Sequence, residues 1–153
     1  MIFLVRHAKA GHRDPAVDDD RPRPLTPGGW EQSKALIDPL IAAGAGAPLL
    51  SSPYIRCVQT LEPLAERLGA TVIADERLAE DMPFKPLLEL MQETADGSVL
   101  CSHGDMIPDV MAALERRGCA ITTEPNWKKG AVWVLERNKK GRFVSAAAWP
   151  PPT

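Results

Sequence analysis

Met1-Ile2-Phe3-Leu4-Val5-Arg6-His7-Ala8 is the stretch from which the rest of the chain can be read. A short, continuous apolar run of β-branched and aromatic residues reads as a strand buried on both faces, as in a parallel sheet. In open α/β sheets, ligands sit beyond the carboxyl ends of the strands. Arg6 and His7 fall at that edge. Taken alone, the pair is as well explained by a surface arginine and a satisfied loop histidine. With Met1 opening the strand, no signal peptide is expected before it.

Outward from this strand, apolar runs alternate with helical periodicity. A polar, Pro-rich loop from Lys9 to Leu25 is long for a compact domain, and such loops are often functional. Thr26-Pro27 reads as an N-cap followed by a first-turn proline. Trp30, Ile37, Leu40 and Ile41 then share a helical face, which Pro39 should kink or shorten before Gly44. Pro48 to Ser51 is a second short strand. Ser52-Pro53 repeats the capping signal for a helix that carries Arg56 in its first turn and stops at Gly69.

Thr71 to Ala74 is a third strand, leading to the charged segment Asp75 to Asp81. A helix enters between Pro83 and Pro86, with Leu87, Leu90 and Met91 inward. Ser98 to Ser102 is a fourth strand, followed at once by His103-Gly104. Asp105 is placed to cap the next helix, which ends at Gly118. Strands at Ala131 to Glu136 and Arg142 to Ala148 flank Lys139-Lys140-Gly141 as a hairpin. This order predicts a three-layer α/β/α fold with a mixed, mostly parallel central sheet. One domain is expected over 1–149, with a Pro-rich tail at 150–153.

The 153 residues carry a formal net charge of -2, so no bulk attraction to nucleic acid or anionic membrane is expected. No run is long enough to cross a bilayer. The cations Arg6, Lys9, Arg13, Arg21 and Arg23 crowd around Asp18-Asp19-Asp20, an acidic run that reads as a solvated loop or as the balance of a cationic pocket. Three cysteines, Cys57, Cys101 and Cys119, match no zinc spacing. Their odd count points to a reducing, cytoplasmic setting.

The first four strands end, in turn, in Arg6-His7, in Ser51-Ser52 with Arg56 one turn on, in the segment holding Glu80 and Asp81, and in His103-Gly104. In one parallel sheet these groups meet at one edge. Arginine offers a planar fork of donors matched to phosphate oxygens. A neutral imidazole is a competent nucleophile toward phosphorus. A second histidine, if protonated, adds charge, and a carboxylic acid can protonate the leaving oxygen and then activate water. This chemistry requires no metal or cofactor.

These residues carry a family resemblance. Leu4-Val5-Arg6-His7-Ala8 resembles the Arg-His-Gly signature of the histidine phosphatase superfamily, the phosphoglycerate mutase-like family. Pro24 to Gln32 is similar to its Leu-Thr-x-x-Gly-x-x-Gln segment. Ser51-Ser52-Pro53-Tyr54-Ile55-Arg56-Cys57-Val58-Gln59-Thr60 resembles its Ser-Ser-Pro-x-x-Arg-x-x-Gln-Thr block. Arg77-Leu78-Ala79-Glu80 and Ser102-His103-Gly104 resemble its acid and second-histidine segments. The resemblance implies His7 as the phosphorylated nucleophile. It places Arg6, Arg56 and His103 around the phosphate, with Glu80 as acid-base residue and Asp81 as the alternative.

Ala8 departs from the signature glycine. Arg13 lies near a position where many members place a polar phosphate ligand, and it reads equally as a substrate-binding residue or a solvated one. The short segment after Glu80 leaves no room for a substrate-covering subdomain. The chain therefore resembles the small, open-site branch that includes phosphohistidine phosphatases. It is also similar to the histidine phosphatase domains fused to Nudix domains, and Asn126-Trp127-Lys128-Lys129-Gly130 adds to that likeness. Lys128 and Lys129 read as solvated loop lysines, with substrate contact as the alternative.

The resemblance thus implies a metal-independent phosphatase that hydrolyses phosphomonoesters or phosphoramidates through a phosphohistidine. Its partner would be a phosphorylated small molecule, a nucleotide or a phosphoprotein. Three readings compete with it: a non-catalytic phospho-ligand module, a small-molecule phosphomutase, and a metal hydrolase using His7, His12 and His103. The oligomeric state is left open.

Overall fold

Strand β1 (Ile2–Arg6) takes the middle place in a seven-stranded sheet. The computed structural model describes residues 1–152. The remaining strands are β2 (Leu49–Ser51), β3 (Val72–Ala74), β4 (Val99–Ser102), β5 (Ala120–Ile121), β6 (Val132–Arg137) and β7 (Phe143–Trp149). The helices are α1 (Pro27–Ala35), α2 (Ile37–Ala42), α3 (Ile55–Leu68), α4 (Phe84–Glu93) and α5 (Met106–Arg116), with a 3-10 turn over Glu76–Leu78. The strand order is β3-β2-β4-β1-β6-β7-β5. The pairs β3–β2, β2–β4, β4–β1 and β7–β5 are parallel, while β1–β6 and β6–β7 are antiparallel. The expected mixed, mostly parallel α/β architecture is the one observed.

The alternation of β1 divides the core. Ile2 and Leu4 face a cluster with Leu100, Trp133 and the apolar stripes of α4 and α5. Phe3 and Val5 face the other side, against Leu49, Val99, Cys101, Leu36 and the buried faces of α2 and α3. All four side chains are fully buried, as a strand covered on both faces requires. Burying each contributes about 1.5–3 kcal/mol.

In several places the local reading needs correction. The first helical stretch breaks at Leu36, so Pro39 falls within the first turn of α2, where its missing N–H costs nothing. Thr26 caps α1 as expected, accepting from the Gly29 N–H. Ser52 does not cap α3: Tyr54 takes that position, and the Ser52 hydroxyl accepts the Tyr54 N–H and meets His103. Asp105 stands at the start of α5, but its carboxylate accepts the Asp81 N–H instead of capping its own helix. Trp149 extends β7 one residue past the expected strand, paired with Val132 and packed on Phe3. Strand β5 carries no sequence signal, since two residues cannot show a period. The last residue of the expected 150–153 tail, Thr153, lies outside the described residues.

Candidate phosphate-binding site

The register of the parallel strands sets the site. Arg6 lies opposite Ser102, and Ser51 opposite Cys101. His7 and His103, just beyond the Arg6–Ser102 pair, therefore emerge at one level of one sheet edge, with Ser52 one residue behind them on β2. The His7 and His103 rings lie 5.6 Å apart, centroid to centroid, edge to face. Both are almost wholly buried.

His7 is held through its own backbone. Its Nδ1 lies 2.8 Å from the Ala8 carbonyl oxygen. A carbonyl only accepts, so Nδ1 carries the proton and Nε2 keeps a free lone pair. The Ala8 N–H donates to Thr60 Oγ1 (2.9 Å), whose hydroxyl donates to the Arg56 carbonyl (2.7 Å). Burial holds the His7 pKa down to about 3, with Arg56, Arg6 and Lys129 adding to the depression. His103 is likewise held down to about 3, first by burial and then by Arg56, His7 and Arg6. In the free protein both imidazoles are neutral near pH 7, so the second histidine is not a standing cation.

Arg56 is buried at the start of α3, only 1% exposed. Its guanidinium bridges Asp20 (3.2 Å) and Glu80 (3.3 Å), lies over the Tyr54 ring (4.8 Å) and keeps Nε without a partner. Glu80 is positioned by the segment after β3. Ser102 Oγ donates to the Leu78 carbonyl (2.7 Å), tying that turn to β4 and leaving the Glu80 carboxylate 3.6 Å from His103 Nδ1. Ser52 Oγ fixes the opposite ring nitrogen at 2.8 Å. His103 Nδ1 itself has no hydrogen-bond partner.

Arg6 is held by the 126–130 loop, donating to the Trp127 carbonyl. Its Nε, like that of Arg56, is unpartnered. Gly104 makes room for it: a Cβ there would stand 2.6 Å from Arg6 Cζ, closer than any real contact. Among the described residues, unpartnered nitrogens of Arg6, Arg56 and His103 thus gather beside a nucleophile with a fixed tautomer. An oxyanion of phosphate dimensions is the ligand these groups suit.

The structure brings together Arg6, His7, Arg56, Glu80 and His103. Arg13 is exposed on the 9–25 loop, its charge near enough to Asp20 to help lower that carboxyl. Arg23 is the loop arginine near the site, gripping Asp20 with two bonds (2.8 and 3.0 Å) and donating to the Gly11 carbonyl. These contacts hold the Asp20 carboxylate down to about 2. Of the acidic run, Asp20 alone balances the pocket. Asp81 is exposed at φ 62° with its N–H on Asp105, so of the two neighbouring carboxylates it is Glu80 that reaches Arg56 and His103. His12 is exposed on the loop. Sequence reasoning gave no role to Thr60, Tyr54 or Gln32, although all three lie in the quoted blocks, and it left Lys129 undecided.

Residues 2–83 match the histidine phosphatase superfamily (branch 1). An 8-oxo-(d)GTP phosphatase of Mycolicibacterium smegmatis is 34% identical over 99% of this chain and 48% of its own length. The chain thus spans about half the length of that curated relative. Among solved structures, the protein histidine phosphatase SixA complexed with tungstate superposes with a TM-score of 0.76 at 21% identity, covering 99% of this chain and 96% of its own. A mycobacterial glucosyl-3-phosphoglycerate phosphatase superposes with a TM-score of 0.63 at 17% identity, covering 96% and 95%. These two likenesses concern the fold.

Proposed function

This chain belongs to the histidine phosphatase superfamily, and from that premise we propose that it is a metal-independent phosphatase working through a phosphohistidine at His7. The observation that carries the reading is the His7 tautomer. With Nδ1–H given to the Ala8 carbonyl, Nε2 is an unprotonated nucleophile among cationic donors. Arg6, Arg56 and the free Nδ1 of His103 take the phosphoryl oxygens. Their charge and donors match the more dispersed charge of the transition state.

In the first step His7 Nε2 attacks phosphorus and the bond to the leaving atom breaks, its electron pair departing with the leaving group. Glu80 protonates that group, a role supported by its carboxylate lying beside Arg56 and His103. In the second step Glu80 takes a proton from water, the water oxygen attacks phosphorus, and the N–P bond electrons return to Nε2. Phosphohistidine proteins, phosphomonoesters and nucleotides are the candidate substrates.

The test is phosphate release with EDTA present, from an aryl phosphate, a phosphohistidine protein and nucleotides. His7→Ala is expected to lower kcat/KM by about 1000-fold or more. Wild-type enzyme quenched during turnover is expected to carry an acid-labile, base-stable phosphate. Full release by His7→Ala overturns the proposal. Vanadate binding without release from any substrate establishes the non-catalytic module instead.

A further inference from the structure

The two histidines of the site are anchored at opposite ring nitrogens. His7 gives its Nδ1–H to the Ala8 carbonyl at 2.8 Å and keeps Nε2 free. His103 is anchored at Nε2, which lies 2.8 Å from Ser52 Oγ and 3.5 Å from Cys57 Sγ, while its Nδ1 is buried without a hydrogen-bond partner. Ser52 and Cys57 are wholly buried, and His103 is 1% exposed. Burial keeps the His103 ring neutral near pH 7, and a neutral imidazole carries one N–H. Which nitrogen holds that proton decides whether the ring offers the site a donor or a lone pair.

The hydrogen bonds around Ser52 decide between the two. Its Oγ already accepts the Tyr54 N–H at 3.2 Å. Its own proton needs an acceptor, and among the described residues His103 Nε2 is the one within reach. Cys57 directs its S–H to the Ser102 carbonyl at 3.7 Å and so leaves Nε2 to Ser52. The opposite arrangement, Nε2–H donating to Ser52, strands the buried hydroxyl proton without an acceptor. It also turns a bare Nδ1 lone pair toward the Glu80 carboxylate at 3.6 Å, a repulsive approach. The ring is locked from several sides. The His103 carbonyl accepts the Met106 and Ile107 N–H groups at 3.2 Å each, and the Cys101 carbonyl accepts the Ser52 N–H at 3.0 Å. The Tyr54 ring packs edge to face on His103, 4.7 Å between centroids.

Resting on the phosphatase reading above, we infer that Ser52 is a positioning residue: its hydroxyl donates to His103 Nε2 and holds the ring as the neutral Nδ1–H tautomer, with that proton directed at an oxygen of the transferred phosphoryl group. His103 then serves as a neutral donor and not as a cation. The two rings, 5.6 Å apart, use one tautomer for opposite purposes. His7 presents a lone pair to phosphorus because a carbonyl takes its Nδ1–H. His103 presents a proton to oxygen because a hydroxyl fills its Nε2. A lone pair at His103 Nδ1 would face the phosphoryl oxygens, so the wrong tautomer removes a donor and adds a repulsion. The proton stays on Nδ1 through the reaction, since Ser52 occupies the nitrogen that would otherwise accept one.

The experiment reads the tautomer directly, by long-range proton–nitrogen NMR correlation on protein with isotope-labelled histidine at neutral pH. Exposed His12 is the internal reference, and loss of signals in His103→Asn assigns the ring. In wild type, His103 is expected to show a protonated, pyrrole-type Nδ1 and an unprotonated, pyridine-type Nε2. Ser52→Ala is expected to lose that pattern, with Nε2 gaining proton occupancy, and to lower kcat/KM for an aryl phosphate about 30-fold. Cys57→Ala is expected to keep the pattern. A protonated Nε2 or an averaged ring in wild type overturns the inference without any variant having to fold. An unaltered pattern in Ser52→Ala, or its loss in Cys57→Ala, overturns the assignment to Ser52. A changed tautomer with unchanged kcat/KM overturns the role of the His103 proton. No release by wild type from any substrate overturns the phosphatase reading itself, and the spectra then decide the Ser52 bond separately.

Discussion

Gly104 shows how one missing methyl group sets the site. Its Cα faces the Arg6 guanidinium so closely that any Cβ would strike Cζ, Nε and Nη2 together. Gly104→Ala is therefore expected to displace Arg6 and to lower kcat/KM by about 100-fold, while the melting temperature moves only a few degrees. Steady-state kinetics beside a thermal melt checks this. Unchanged kinetics would show that Arg6 does not bind the transferred group. Ala8, which departs from the family signature, is buried, and both of its bonds at the site are made by its backbone. The added methyl therefore leaves the hydrogen bond that sets the His7 tautomer in place.

Between elements, glutamine amides join the helices to the loops that build the pocket. Gln32 on α1 accepts the Lys9 N–H (2.9 Å) and donates to the Lys129 carbonyl. Gln59 on α3 accepts the Leu25 N–H (2.9 Å). A long polar loop thus gains fixed ends without a strand of its own, helped by the Ala10–Leu25 bridge. Gln32→Ala leaves two backbone groups unsatisfied and is expected to cost about 1–2 kcal/mol of stability in urea unfolding. It is also expected to lower kcat/KM about tenfold, because both the 9–25 and the 126–130 loops loosen. A stability loss with unaltered kinetics would separate the fastening of the loops from the chemistry.

Over the whole molecule, neutral buried histidines couple stability to pH. Each has a folded-state pKa of about 3 against an ordinary value near 6.5. Between those values the unfolded chain binds more protons than the folded one, so stability falls as pH drops. The contribution is fully present above pH 6.5 and is lost progressively toward pH 3. It amounts to roughly 2 kcal/mol per histidine once relaxation around each ring is allowed for. Asp20, with its pKa held near 2, adds its own loss only at lower pH, between about 4 and 2. Urea midpoints at pH 7, 5 and 4 are expected to fall steadily in wild type and more shallowly in a His7→Asn, His103→Asn double variant. An equal slope in both would place the titration elsewhere.

The amino-acid sequence by itself determined the mixed α/β class, the order of helices and strands apart from β5 and the break between α1 and α2, and the groups at the strand ends. Ile2 to Val5 can only be a strand buried on both faces, and residues following parallel strands share one edge whatever the side chains do. That logic places His7, Arg6, Arg56 and His103 together before any coordinates. Tertiary structure alone decided the pairings across long separations: Ser52 with His103, Asp20 with Arg56, and the Trp127 carbonyl with Arg6. It also set Glu80, and not Asp81, against Arg56 and His103, put Arg23 on Asp20, and half-buried Lys129 while leaving Lys128 exposed. The physical reason is the same throughout. Periodicity reports which face of an element is apolar, whereas a loop side chain takes its direction from backbone bonds to distant segments. Such a bond has no period, and in these loops adjacent residues of the same type, Lys128 and Lys129 among them, differ only in where the backbone turns them.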